Sequence, residues 1–176
     1  MVGIVLGSAS DWGSVEAGAA LLKEWGIGVE VVVASAHRSP RRAQDYARGA
    51  AARGIRVLIA AAGAAAHLAG VVAAETTLPV IGVPLPSSEL KGLDSLLAMV
   101  QMPAGVPVAT MAIGKAGAKN AAIFAAQILA LSDNRIKKLL DKHKQDLESG
   151  VAAQAREIPK EYRPQEKVGK TSKKTG

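Results

Sequence analysis

Residues 57–76 read VLIAAAGAAAHLAGVVAAET and predict one strand–loop–helix unit of a layered domain. Val57–Ala61 is an uninterrupted apolar run, which is typical of a strand that is covered on both faces of a sheet. The Ala-rich residues that follow lead into a helix predicted over His67–Thr76. A membrane span needs about 20 strongly apolar residues, whereas this stretch is mainly Ala and Gly and is broken at Gly63 and Gly70. A buried strand and helix are therefore expected.

The same alternation of apolar runs and Ala-rich stretches continues along the chain. Strands are predicted at Val2–Leu6, Val29–Val33, Val57–Ala61, Val80–Val83 and Val106–Ile113. Helices are predicted at Ser14–Trp25, Pro40–Arg53, His67–Thr76, Leu93–Val100 and Ala118–Leu131. This alternation predicts an α/β fold in which a five-stranded parallel sheet is covered by helices on both faces.

The last part of the chain is predicted to form a helix followed by a tail. The helix is expected over 132–150, with Ser132 as its N-cap. Its apolar stripe, which we expect to pack on a neighbouring subunit, consists of Ile136, Leu139, Leu140, His143 and Leu147. Residues 1–158 are thus predicted as one domain that includes the helix. Residues 159–176 lack an apolar period and are predicted to be a basic, disordered tail.

Composition and charge exclude several classes of protein. The 176 residues are 49% hydrophobic, which is enough for the core of one domain. With no Cys and only three His, neither a disulfide framework nor a metal site is expected. The net charge is +7, but from Val151 onward seven basic residues stand against three acidic ones. The rest is mildly cationic, which suits a small anionic ligand better than nucleic acid. The N-terminus lacks the basic region of a secretory signal, so we expect a cytoplasmic protein that binds no membrane.

Polar residues concentrate in the loops that follow the predicted strands. Open α/β sheets bind ligands at the carboxyl ends of their strands. The five loops there are GSASD (7–11), SAHRSP (35–40), GAAAH (63–67), PLPSS (84–88) and GKAG (114–117). We expect these loops to converge on one edge of the sheet and to form a single site.

The first two loops indicate anion binding beside a proton-transferring group. Hydroxyl and backbone N–H groups in residues 7–11 suit a phosphate or a ribose, although an ordinary turn and helix cap is the alternative. Asp11 would repel phosphate and is better suited to accept from sugar hydroxyls or from a ring amine. His37 and Arg38 can supply a proton shuttle and a bidentate anion clamp. His67 is either a further site residue or a buried histidine near a helix start.

Taken in order, these motifs resemble the bacterial N5-carboxyaminoimidazole ribonucleotide mutase family, which includes phosphoribosylaminoimidazole carboxylase catalytic subunits. The resemblance covers roughly residues 2–131. Its motifs are G-S-x-S-D-W at Gly7–Trp12, S-A-H-R-[ST]-P at Ser35–Pro40, A-A-H-L-x-G at Ala65–Gly70, G-V-P at Gly82–Pro84, L-x-G-x-D-S-L at Leu90–Leu96, Q-M-P-x-G-x-P-V at Gln101–Val108 and A-I-G-K-A-G-A-x-N-A-A at Ala112–Ala122.

The resemblance implies a flavodoxin-like three-layer αβα sandwich that assembles as a homo-octamer. It implies an isomerase of purine biosynthesis, without metal or cofactor, acting on a phosphorylated imidazole ribonucleotide. The carboxylate would move from the exocyclic nitrogen to carbon 4 of the ring, after an ATP-dependent carboxylating synthetase has attached it. The alternatives are direct carboxylation of aminoimidazole ribonucleotide by carbon dioxide and a non-catalytic nucleotide-binding paralogue. Arg38 and Ala65–Leu68 favour the mutase branch.

The resemblance also implies roles for individual residues. His37 would be the catalytic, proton-transferring residue, and the segment Ser87–Asp94 would close over the site. The ribose phosphate would be held by Ser8, Asp11 and Arg38. The remaining lining of the site would come from Ser35, Ala36, Gly63, Ala64, His67 and Leu68.

Three positions depart from the family pattern. Ala61 and Ala64 replace usual glycines, and Ala69 replaces a usual proline. If either glycine position requires a positive φ, alanine there costs about 1 kcal/mol or more. The methyl group of Ala64 would in addition narrow a pocket for carbon dioxide.

Overall fold

Five parallel strands form the middle layer of the fold. The computed structural model describes residues 1–164 of the chain. The strands are β1 (Val2–Leu6), β2 (Val29–Val33), β3 (Val57–Gly63), β4 (Val80–Leu85) and β5 (Ala109–Thr110). They pair in parallel in the order β2-β1-β3-β4-β5. This order is that of flavodoxin-like sheets.

Six α-helices lie within residues 1–164. They are α1 (Trp12–Glu24), α2 (Pro40–Arg48), α3 (Leu68–Ala74), α4 (Leu93–Val100), α5 (Gly114–Ala130) and α6 (Asn134–Ala155). Short 3-10 helices occur at Ala9–Asp11, Ala51–Arg53 and Lys160–Tyr162. None of the described helices combines the length and the apolar content that a membrane span requires.

The two faces of the sheet are buried in separate hydrophobic clusters. On one face, Ile4 and Ile81 pack in a cluster that includes Leu22 of α1 and Ala122 of α5. On the other face, a second cluster joins β1, β3 and β4 to α2, α3 and α4. The prediction of a three-layer αβα sandwich is confirmed.

The two edge strands differ from their predictions. The strand predicted over Val106–Ile113 is reduced to two residues in β5. Pro107, which has no N–H to donate to a neighbouring strand, accounts for the later start of the strand. β2 was expected to be covered on both faces, but Val31 and Val33 are 42% and 41% exposed. An edge strand has only one neighbouring strand, and the helices cover its outer part incompletely.

Several helix boundaries also differ. The predicted loop 114–117 is the first turn of α5, where a Cβ on Gly117 would lie 1.6 Å from the carbonyl oxygen of Ala112. That close approach requires glycine. Because glycine is more typical of loops than of helices, the start of α5 was not recognised in the sequence. The predicted helix Pro40–Arg53 ends at Arg48 and continues as a separate 3-10 turn.

The start of α6 corrects two expectations. Asp133, rather than Ser132, caps the helix, since its Oδ1 accepts from the backbone N–H groups of Arg135 (2.9 Å) and Ile136 (3.3 Å). Ile136 is only 4% exposed and lies in the core that α1 and α5 share, with the partly buried Leu139 and Leu140 packed against that core. The start of the stripe therefore packs on the chain's own core, rather than on a neighbouring subunit as expected.

The chain divides into two units within α6. Met1–Leu140 form the first unit, and the second begins at Asp141. In the second unit, Leu147 is 56% exposed, and Arg163 Nε donates to the carbonyl oxygen of Ile158 at 2.6 Å. Residues 165–176 of the predicted disordered tail lie outside the described residues.

Candidate active site

Two side-chain contacts bring the first three predicted loops together at the carboxyl ends of the strands. Arg38 Nη2 donates to the carbonyl oxygen of Gly7 at 3.1 Å and joins the second loop to the first. His37 Nε2 lies 2.8 Å from His67 Nδ1 and joins the second loop to the third. The site residues of these loops thus meet although they are far apart in sequence.

The first loop is a tightly hydrogen-bonded cap. Ser8 Oγ accepts from the backbone N–H of Ser10 at 3.4 Å, and Asp11 Oδ2 accepts from the backbone N–H of Ser8 at 2.9 Å. Burial raises the pKa of the Asp11 carboxyl above its ordinary value, while the Ser8 N–H and the Arg38 guanidinium act in the opposite direction. The loop thus forms a capping box at the start of a 3-10 turn, and it also leaves hydroxyl groups at the edge of the sheet.

The second loop is a turn locked by two serines. Ser39 Oγ accepts from the backbone N–H of Ser35 at 2.9 Å, and Ser35 Oγ accepts from the backbone N–H of Arg38 at 3.2 Å. These bonds fix the backbone on both sides of His37, whose side chain is exposed. Ser39 was not predicted as a site residue, although its spacing of four residues from Ser35 is a usable signal for such a turn.

An open cavity of about 290 Å³ lies between the first two loops. It is lined by Gly7, Ser8, Ala9, Val33, Ser35, Arg38 and Ser39. Hydroxyl groups and one guanidinium suit a small oxyanion such as a phosphate group. A larger open cavity of about 490 Å³ at the amino ends of β4 and β5 has no titratable side chain in its lining and offers no acid–base chemistry.

The two histidines form an edge-to-face pair. Their ring centroids are 4.9 Å apart and the ring planes are 83° apart. A hydrogen bond between two neutral imidazoles needs one protonated and one bare nitrogen. Consequently one outer nitrogen, His37 Nδ1 or His67 Nε2, carries a proton while the other is bare. The pair can therefore accept a proton at one end and release one at the other.

Of the three residues that depart from the family pattern, only the one in the third loop has a strained backbone. Ala64 adopts a φ of +50°, a left-handed conformation that alanine rarely adopts. Ala61 lies in β3 and Ala69 in α3, both fully buried and neither at positive φ. Only the replacement at 64 therefore strains the backbone, and it does so three residues before His67.

Replacing Ala64 with Gly is expected to stabilise the protein by about 0.5–1 kcal/mol. Relief of the left-handed strain is worth about 1–2 kcal/mol, which exceeds the cost of about 0.5–1 kcal/mol for the added freedom of glycine in the unfolded chain. Urea unfolding measures the difference. The matched control is Ala61→Gly in β3, which should lower the stability because it removes a fully buried methyl group. A loss of stability in Ala64→Gly would show that the strain is absent.

The fourth loop packs against the third. A Cβ on Gly63 would lie 1.7 Å from Ser87 Oγ and 2.7 Å from Ser87 Cβ, so the two loops touch where Gly63 has no side chain. The buried hydroxyl of Ser95 lies 3.0 Å from the carbonyl oxygen of Leu85 and 2.9 Å from that of Gly92. Its single proton can be donated to either carbonyl oxygen, and Leu85 and Gly92 lie near the two ends of the segment that was expected to close over the site.

Two predicted positions lie apart from this group. Leu68 is 2% exposed and packs in the hydrophobic cluster of α2 and α3, so its side chain does not line the cavity. Within residues 1–164, no hydrogen bond or ion pair joins Lys115 of the predicted fifth loop to the other loops. Over the same residues, no three or more His, Asp or Glu side chains are grouped so that they could hold a metal ion.

Fold and site together define a flavodoxin-like α/β protein in which two histidines and an arginine meet at the carboxyl ends of the strands. Residues 1–150 match the family model described as AIR carboxylase, and the chain belongs to this family. The family and the flavodoxin-like fold predicted from the motifs are thereby confirmed.

Relatives of this chain are named as mutases. A Bacillus subtilis (strain 168) N5-carboxyaminoimidazole ribonucleotide mutase is 52% identical over 151 residues, covering 86% of this chain and 93% of the relative. A Pseudomonas aeruginosa protein of the same name is 58% identical over 129 residues, covering 73% and 79%. The crystal structure of Treponema denticola PurE matches with a TM-score of 0.80 at 27% identity, covering 89% of this chain and 97% of the other.

Proposed function

We propose that this chain is an N5-carboxyaminoimidazole ribonucleotide mutase of purine biosynthesis. The observation that carries the proposal is the 2.8 Å contact between His37 and His67, beside Arg38, on loops that match the family motifs. The shared name of relatives at 52–58% identity supports the same reaction. The enzyme is proposed to be cytoplasmic and to receive its substrate from an ATP-dependent carboxylating synthetase.

Substrate binding is assigned to the first two loops. Arg38 uses one guanidinium nitrogen to bind the carbonyl oxygen of Gly7, which orients the remaining N–H donors toward an oxyanion in the cavity. Ser8 provides a hydroxyl group for the same phosphate. Asp11, with Oδ2 already bound by the Ser8 N–H, uses its other oxygen to accept from ribose hydroxyls.

The proton chemistry is assigned to His37. Cleavage of the nitrogen–carbon bond of the carbamate releases carbon dioxide, and the exocyclic nitrogen keeps the electron pair and takes up a proton. Ring carbon 4 then attacks carbon dioxide, and loss of its proton restores the aromatic ring. His37 delivers the first proton and removes the second, so the histidine pair returns to its initial state after each turnover. The Gly- and Ala-rich third loop lines the space that holds carbon dioxide and excludes water from it.

The decisive experiment is an assay of the purified protein with the authentic carbamate substrate, read at the absorbance of the product. A mutase converts this substrate without ATP. Conversion of aminoimidazole ribonucleotide and bicarbonate alone, without the carboxylating synthetase and ATP, would identify a direct carboxylase. Calorimetric binding without turnover of either substrate would identify a non-catalytic paralogue.

The proposal includes assembly as a homo-octamer. Its structural support comes from α4 and the loop before it, rather than from α6. Leu90, Leu93, Leu97 and Val100 are 62%, 51%, 49% and 51% exposed. The spacing of four and three residues places Leu93, Leu97 and Val100 on one face of α4, and Leu90 lies in the loop before the helix. Such an exposed apolar stripe is typical of a surface that is buried on association.

Truncation after Ile158 is expected to change neither the oligomeric state nor the activity. Of the residues removed, those that the structure describes (159–164) are not buried, and the catalytic loops lie wholly within Met1–Leu140. Analytical ultracentrifugation and the mutase assay measure both properties. Truncation before Asn134 is the contrasting variant, because it removes the buried Ile136 and should unfold the protein. If the variant truncated after Ile158 dissociates into monomers, the tail has a role in assembly.

A further inference from the structure

Arginines at the two ends of the sheet differ in whether they form ion pairs with acidic side chains. At the amino ends of the strands, Arg48 Nε lies 2.7 Å from Glu75 Oε2, and Arg53 Nε lies 3.1 Å from Glu30 Oε1. At the carboxyl ends, Arg41 and Arg42 are exposed. Within residues 1–164, neither of them forms an ion pair with an acidic side chain.

The position of these two arginines does not serve the stability of the helix. Arg41 and Arg42 follow Pro40 in the first turn of α2, where the helix dipole is positive and added positive charge is unfavourable. Side chains of a helix lean toward its N-terminus. The first turn of α2, which holds both arginines, lies at the edge of the sheet where Arg38 lines the cavity. Three arginines within five residues thus concentrate positive charge beside one opening.

We propose that Arg41 and Arg42 attract the anionic ribonucleotide to the cavity and raise its association rate without contacting the bound molecule. The proposal rests on the proposed function for the identity of this ligand, which carries a phosphate and a carboxylate. Electrostatic steering of this kind raises association rates by about 10- to 1,000-fold in favourable cases. The steering weakens as the salt concentration rises, because the Debye screening length falls from about 30 Å at 0.01 M to about 3 Å at 1 M.

The test compares Arg41→Gln/Arg42→Gln with a control of equal charge change, Lys137→Gln/Lys138→Gln. The control lysines are exposed at the start of α6, where Arg135 donates to the carbonyl oxygen of Trp25 at the far end of α1. Stopped-flow fluorescence follows the binding of aminoimidazole ribonucleotide, with Trp12, adjacent to Asp11, as reporter. Because this readout needs no turnover, it is independent of the mutase assay. A wild type that shows salt-dependent association but no turnover would contradict the proposed function alone.

At 0.01 M salt, the arginine variant is expected to associate about five- to tenfold more slowly than the wild type, and the lysine variant within about twofold of it. At 1 M salt, all three rate constants should converge, and dissociation rate constants and kcat should be unchanged throughout. Thermal unfolding confirms that the arginine variant is folded. Equal association of the arginine variant and the wild type at low salt would overturn the proposal. Faster dissociation of the variant at both salt concentrations would also overturn it, since it would show direct contact with the ligand.

Discussion

Replacing His37 with Asn is expected to lower kcat by about 100-fold or more, the usual contribution of a general acid–base residue. Asparagine retains a hydrogen-bonding group of similar size, but it cannot take up and release a proton at neutral pH. The fold and the affinity for aminoimidazole ribonucleotide should remain, because the backbone of the turn is fixed by Ser35 and Ser39 and not by the imidazole. Steady-state kinetics and calorimetry together separate the loss of chemistry from a loss of binding.

Two further variants make this result specific. His143→Asn changes a histidine outside the five loops and should leave kcat unchanged. His67→Asn replaces the histidine that is hydrogen-bonded to His37 and leaves His37 in place. Its effect on kcat should therefore be smaller than that of His37→Asn. The reverse ranking would assign the proton transfer to His67, and normal turnover of His37→Asn would remove the histidine from the mechanism.

Replacing Arg38 with Ala is expected to weaken the binding of a phosphorylated ribonucleotide by roughly 10- to 100-fold. Hydrogen bonds to charged groups contribute about 1.5–3 kcal/mol, which corresponds to that range. Arg38→Lys retains the charge but not the planar pair of donors, so it should recover only part of the affinity. Arg56→Ala, which removes the arginine that donates to Ser132 Oγ at 3.0 Å, is the control. Unchanged affinity of Arg38→Ala would place the anion clamp elsewhere.

The sequence predicted β1, β2 and α4 with their observed boundaries, because continuous apolar runs and a helical apolar period mark these elements clearly. It did not predict the length of β5, since a single Pro107 limits the pairing of an otherwise apolar run. The apolar stripe of α6 was predicted from its helical period, but the period does not show which surface covers the stripe. The chain's own core covers Ile136.

The site was predictable as a set of loops but not as a set of contacts. The rule that ligands bind at the carboxyl ends of strands selected the loops that hold His37, Arg38 and His67. The direct contact of the two histidines depends on residues 30 positions apart, and no local pattern contains it. Likewise, the sequence showed that alanine occupies a usual glycine position at 64, while only the backbone angle shows that this position is strained.

The contact between Gly63 and Ser87 has a consequence for how this protein can evolve. Since the hydroxymethyl group of Ser87 fills the space where a side chain at 63 would begin, the two positions do not accept substitutions independently. A larger residue at 63 becomes tolerable only after residue 87 has lost its side chain or its loop has taken another path. Among homologous sequences, positions 63 and 87 should therefore vary as a pair, with the change at 87 preceding the change at 63.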